Sequence, residues 1–127
     1  MIKIFRVYDR ENKTWIKNDA YIDSDGNLFI LKKTLFGRQK MLTDENKYVY
    51  HKSIEKKDKN DVWIFEADIC KSEKAGIVGV IAYIPENAAY CLLDYNNNLC
   101  YDLNIDSQEI EKIGNIFDNQ ELLPDKW

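Results

Sequence analysis

The chain predicts a mainly β fold, β-rich α+β in class. Hairpins occupy the N-terminal half, a small closed barrel the C-terminal half, and one short helical turn the end. Three observations predict it. Short apolar runs rich in β-branched and aromatic residues recur along the chain, punctuated by polar turn residues. The stretch GIVGVIAYI has apolar residues at both parities, the mark of a strand covered on both faces, as in a closed barrel. Only two prolines and five glycines occur, too few for a long disordered tail. At 127 residues the chain makes one domain with a core of its own.

The elements follow in order. IKIFRVYD (2–9) is β-branched and aromatic, RENK (10–13) is a polar turn, and TWI (14–16) is a return strand. DAYI (19–22), the turn SDGN (24–27) and LFIL (28–31) form the clearest hairpin, with Asp25-Gly26 supplying the positive φ of a tight turn. FGRQKMLTDENK (36–47) reads as a loop or a short helix, and its basic content places it on the surface. KYVYHKSI (47–54) alternates like an edge or half-buried strand, and IEKKDKND (54–61) is a charged loop. VWIFEADIC (62–70) is a strand and KSEKAG a turn.

In the strand 76–84, Gly76 and Gly79 permit the bulge or bend that closure requires. Pro85 suits the second position of a turn in PENA (85–88). AAYCLLDY (88–95) and LCYDLNI (99–105) pair about Asn96-Asn97. That loop sets Leu92 against Tyr101, Tyr90 against Leu103, Cys91 against Asp102 and Cys100 against Leu93, so the two thiols are not cross-strand partners. EIEKIGNIF (109–117) reads as a strand because Gly114-Asn115 interrupts the other reading, a helix capped by Asp106 or Ser107. Asp118 followed by Glu121 has capping-box spacing. The helical turn DNQELL then tucks Leu122 and Leu123 onto the sheet, and Pro124 stops it.

Charge is uneven. Residues 1–60 carry 14 Lys+Arg and 9 Asp+Glu, a net +5; residues 61–127 carry 4 and 13, a net −9. The preferred reading is solvated surfaces of opposite bias; otherwise the two halves face different partners or attract one another, within the fold or between copies. The N-terminus is charged from residue 3 without a long apolar region, so no signal peptide is expected. The longest apolar stretch, Ala75 to Pro85, is about half the ~20 residues of a membrane span. A cytoplasmic protein with three reduced thiols, Cys70, Cys91 and Cys100, is the expectation, and no CxxC spacing occurs. A zinc site would need these three and His51, scattered along the chain.

Several polar residues invite a chemical reading. Glu66 and Asp68 are two apart, so on one strand both point to one face, as a paired acid/base or metal site would. The structural reading is preferred. Asp68 then accepts N–H bonds from the following turn, and Glu66 pairs with a basic group of the N-terminal half. His51, with Ser53 two residues on, lacks the acid and the G-x-S-x-G of a hydrolase and reads as an exposed strand histidine. The scattered glycines form no phosphate loop. Arg38, Lys40, Lys56, Lys57 and Lys59, interleaved with Tyr48 and Tyr50, suit single-stranded nucleic acid or a protein partner. Lys47 and Lys52 extend that set; Asp44, Glu45, Glu55 and Asp58 dilute it, and the pI is near 5.0.

Three stretches carry a family resemblance. IKIFRVYDRENKTWI at the start, KDKNDVWIFEADIC in the middle and IEKIGNIFDNQELL near the end resemble, in order, segments of the YopX family of phage and prophage proteins. The middle segment is similar to a family pattern of the form kDknGkeIyEGDIv, the last to iEviGNiyenpeLL. Asp58, Glu66, Asp68, Ile69, Gly114, Asn115, Leu122 and Leu123 are the matching residues taken as a structural motif. Asp61 and Ala67 depart from the pattern, standing where the family usually has glycine. The resemblance implies an SH3-like barrel in the C-terminal half, and it implies no established activity.

These readings lead to a non-catalytic protein without a cofactor, which binds a protein partner or itself and has no membrane role. Single-stranded nucleic-acid binding through residues 38–59 is the alternative.

Overall fold

A computed structural model describes residues 4–17, 19–35, 37–44, 46–94, 99–102 and 109–124; at positions 33, 34, 38–42, 99 and 102 it is the backbone that is described. The chain divides into two compact units, Phe5–Tyr50 and Met1–Ile4 with His51–Trp127. This division falls ten residues before the one suggested by charge.

In the first unit, β1 (Phe5–Asp9) pairs antiparallel with β2 (Thr14–Trp15), Tyr8 opposite Trp15. The turn between them closes because Asp9 accepts the N–H groups of Glu11 and Asn12 at 3.0 and 3.1 Å. A second sheet orders β3 (Ala20–Ile22), β4 (Leu28–Thr34) and β5 (Gly37–Leu42) side by side. The β3–β4 turn runs from Asp23 to Asn27, one residue longer than expected. The Asp23 carboxylate accepts the N–H groups of Asp25 and Asn27, and of the Asp25-Gly26 pair Gly26 alone has a positive φ, +85°. The stretch read as loop or short helix is largely strand: β5 pairs with β4 from Thr34–Gly37 to Phe29–Leu42. Partner strands, not local propensity, decide such a segment. Val7, Leu28 and Ile30 form this unit's core, flanked by Phe5, Ile16, Tyr48 and Tyr50.

β6 (Tyr48–Lys57) begins in the first unit and continues into the second. It runs through IEKK, so the charged loop starts only at Asp58. Ile54 is the reason: it is buried in the second core, and a register irregularity between Ser53 and Lys57, with Glu55 at φ +59°, lets the charged neighbours point away. β7 (Trp63–Phe65) pairs with β6. β8 (Asp68–Ser72), β9 (Ile77–Ile84), β10 (Ala89–Asp94), β11 (Leu99–Asp102) and β12 (Ile110–Asn115) form a five-stranded sheet in the order β11-β10-β9-β8-β12.

This curled antiparallel sheet is a half-barrel, not a closed one: among the described residues its edge strands β11 and β12 do not pair with each other. Ile54, Ile64, Cys70, Ile81, Leu92 and Ile110 pack as the core. Ile69, Val80 and Cys91 are buried at positions of the opposite parity, so the sheet is covered on both faces as expected. Register passes Gly79 without a bulge. A Cβ at Gly79 would lie 2.2 Å from the Leu93 carbonyl oxygen, so this glycine permits close strand approach. The sheet's bulge falls instead in β12, between Lys112 and Gly114.

The β10–β11 register sets Leu92 against Tyr101, Cys91 against Asp102 and Leu93 against Cys100, as expected. The Asn96-Asn97 loop, Leu103, Asp106 and Ser107 lie outside the described residues. Near the C-terminus a single 3-10 turn, Gln120–Leu122, stands where a helical turn was expected. Asn119, without a side-chain cap bond, precedes it in place of Asp118. Asp118 accepts the Asn115 amide instead, which removes it from the capping role. Leu122 is 37% exposed and Leu123 half-buried, so neither joins the core.

Candidate functional site

The expected strand 62–70 breaks in the middle. Glu66 and Ala67 form a turn, with Ala67 at φ +65°, and the chain passes from β7 into β8. Glu66 therefore sits in the turn and Asp68 opens β8; they do not share one strand face. Main-chain bonds hold Ala67 on both sides. Its N–H donates to Ile81 at 2.8 Å, and its carbonyl accepts from Ile116 at 3.1 Å.

Asp68 is completely buried. Its Oδ2 accepts the Phe65 N–H at 2.7 Å and lies 3.1 Å from Lys112 Nζ. That main-chain donor is the last residue of β7, where the turn after Asp68 was expected to supply it. The Lys112 ammonium also donates to the Trp63 carbonyl at 3.4 Å and lies 5.6 Å from the Phe65 ring centroid. Glu66 accepts the main-chain N–H of Lys52 at 2.7 Å, where a basic side chain was expected. Burial first, then the charge of Glu66 with lesser effects of Tyr83 and Glu55, raises the pKa of the Tyr90 hydroxyl.

Asp58 accepts three main-chain N–H groups. Oδ1 takes the N–H groups of Asn60 and Val62, each at 2.9 Å, and Oδ2 takes that of Lys112 at 2.9 Å. One carboxylate thus shapes a loop and caps the edge of β12. Burial works to raise its pKa. The N–H donors of Lys112, Val62 and Asn60, with the Lys112 charge, outweigh burial and hold it below the ordinary aspartate value.

Asn115 repeats the device at the end of β12. Its Oδ1 accepts Phe117 and Asp118 N–H, and its own N–H donates to Asn119 Oδ1 at 3.1 Å. A Cβ on Gly114 would stand 2.4 Å from that Asn119 oxygen, which accounts for glycine there. Ile69 is fully buried, paired with Val80 on one side and Gly114 on the other.

The basic set divides. Arg38 and Lys40 lie on β5, in the first unit with Tyr48 and Tyr50; Lys56, Lys57 and Lys59 belong to the second. Tyr48 and Tyr50 pack on the first core and, with Gly26, Asn27, Leu28 and Thr43, line an open groove of about 270 Å³. The Tyr50 hydroxyl donates to the Gly26 carbonyl at 3.4 Å across it. In the other unit Lys57 pairs with Asp61 at 3.2 Å and lies 4.7 Å above the Trp63 ring. Lys59 meets Glu111 at 3.6 Å, a carboxylate shared with Lys71. Counted by unit, residues 5–50 hold 9 Lys+Arg and 7 Asp+Glu, a net +2, and the rest hold 9 and 15, a net −6. The contrast is smaller than the sequence halves suggest.

His51 is half-buried, not exposed, and stacks on Phe117 at 5.5 Å with ring planes 10° apart. None of the three cysteines is in a disulfide; Cys70 and Cys91 are buried and Cys100 is exposed. Among the described residues no cluster of three or more His, Cys, Asp or Glu is placed to hold a metal ion, and no helix is long and apolar enough to cross a membrane. One pair escaped the sequence reading. Tyr21 and Phe29 stand opposite each other on β3 and β4 with rings stacked at 5.0 Å and 15°.

The arrangement, with glycine-like φ values of +66° at Asp61 and +65° at Ala67, reproduces the positions at which the resemblance placed glycines. The family model described as YopX protein matches residues 4–124. The chain belongs to the YopX family. Its fold is that of the solved YopX protein of Bacillus subtilis, at 15% identity and a TM-score of 0.63, covering 98% of this chain and 100% of that one. The EF1440 protein of Enterococcus faecalis is similar at 24% identity and a TM-score of 0.55, covering 98% and 99%. Comparison with curated proteins found no match.

Proposed function

We propose that this YopX-family chain is a non-catalytic accessory protein of a phage or prophage, working by binding in the cytoplasm of a bacterial host. Its partner is a protein, a second copy of itself included, and it needs no cofactor. The observation that carries this reading is the use of its acids. Asp58, Glu66 and Asp68, the residues best suited to proton transfer or metal binding, each accept a main-chain N–H. Such carboxylates fix loops, and moving a proton on or off them disturbs the fold. Large apolar side chains at the surface, Leu35 in the first unit and Tyr83 in the second, at 99% and 46% exposure, suit contact with another protein. An SH3-like relation of the half-barrel fits the same role.

Light scattering across low and high salt tests it. Association that weakens with salt is expected from units of opposite net charge. A salt-insensitive monomer, or a turnover lost in Glu66→Gln while the melting temperature stays put, overturns it.

A further inference from the structure

The β3-β4-β5 sheet carries a feature that the protein-binding reading does not use. From Gly26 to Thr43 the sequence holds four cations, Lys32, Lys33, Arg38 and Lys40, and no carboxylate. The β4–β5 register sets Lys33 opposite Arg38 and Lys40 opposite Leu31. By strand alternation positions 33, 38 and 40 fall on the face that holds Phe29, and the β3–β4 register adds Tyr21 to it. Leu28 and Ile30, the core residues of β4, take the other face. Tyr21 and Phe29 are half-buried. The exposed Asp19 borders this face just before β3, where its carbonyl accepts the Leu31 N–H.

We infer that this face, Tyr21 and Phe29 with Lys33, Arg38 and Lys40, binds single-stranded nucleic acid. An aromatic pair that shares a sheet face with three cationic positions offers bases a stacking surface and phosphates a positive track. Cross-strand stacking alone would explain the ring pair. It does not account for the three cationic positions that register and alternation place on the same face. The inference moves nucleic-acid contact away from Lys56, Lys57 and Lys59, of which Lys57 and Lys59 already meet carboxylates. It stands independently of the protein-binding reading.

Fluorescence anisotropy of labelled oligo(dT) and oligo(rU), each about 12 nucleotides long, tests it with the full chain. Three phosphate contacts at about 0.7 each give a salt slope near −2, so affinity falls on the order of twenty-fold between about 50 and 200 mM salt. Changing Lys33, Arg38 and Lys40 together to Gln flattens that slope, while Asp19→Asn tightens binding. Tyr21→Leu with Phe29→Leu keeps an apolar sheet but removes stacking, and affinity drops at least about five-fold with the slope unchanged. Circular dichroism confirms that each variant is folded. Three outcomes overturn the inference: no binding of either oligonucleotide at low salt, an unchanged slope in the triple variant, or loss of binding in a Lys56/Lys57/Lys59→Gln variant instead. If the triple variant abolishes self-association while no oligonucleotide binds, the face is a protein surface and the inference fails.

Discussion

Replacing Asp58 by Asn tests whether one carboxylate joins the loop after β6 to the edge of β12. The side chain is 2% exposed and accepts three main-chain N–H groups at 2.9 Å. Asparagine has the same shape but a single acceptor oxygen. With that oxygen toward Asn60 and Val62, its NH2 faces the Lys112 N–H, donor against donor. In the flipped orientation two amides lose their acceptor. The better choice still forfeits one charge-assisted bond, worth ~1.5–3 kcal/mol, and weakens two others. A loss of ~3 kcal/mol is expected, or a fall in Tm of roughly 10 °C for a chain of this length.

The pH dependence supplies a second check. The folded carboxyl titrates below its ordinary value of 3.8. Its contribution is therefore present above that value and is lost as pH falls through the lower, folded pKa. Urea unfolding of wild type and Asp58→Asn, followed by circular dichroism from about pH 7 to pH 2, should show a gap constant down to about pH 4 and closing below it. A gap under about 0.5 kcal/mol at neutral pH, or one that persists on acidification, would refute the assignment.

Three further outcomes follow from the same geometry. Ala67→Gly should raise stability by ~0.5–1 kcal/mol, since relief of left-handed strain (about 1–2 kcal/mol) exceeds the added freedom of the unfolded glycine; denaturant midpoints decide, and a lower midpoint contradicts the strain argument. Gly79→Ala should cost ~3 kcal/mol or prevent folding, because the new methyl meets the Leu93 carbonyl at 2.2 Å; a variant that melts with wild type speaks against this strand packing. Asp68→Asn should lose ~2–4 kcal/mol by leaving the Lys112 ammonium without its buried partner, and a neutral result in thermal melts would remove Asp68 from the fold's supports.

Much of the architecture was legible in local pattern. Alternation and turn chemistry placed the N-terminal hairpins and the C-terminal strand, and a two-residue loop implied the β10–β11 pairing residue by residue. Such features depend on neighbours a few positions away. The β3–β4 hairpin was legible too, with strand ends at Ile22 and Leu28. What local pattern did not show is that Asp23 closes the turn by accepting the amides of Asp25 and Asn27. The break at Glu66–Ala67 was hidden because an alanine at φ +65° has no local signature. Only the glycine of the family pattern marked it.

Composition and periodicity were enough to establish a small β-rich chain, and three matched segments were enough to name its family. The roles of the acids were settled by folding. Asp58 meets the Lys112 N–H across 54 residues of sequence, and Asp68 meets the Lys112 ammonium from a neighbouring strand. Strand and turn preferences act over a few residues, whereas a carboxylate's acceptors and donors are assembled only when distant strands come together.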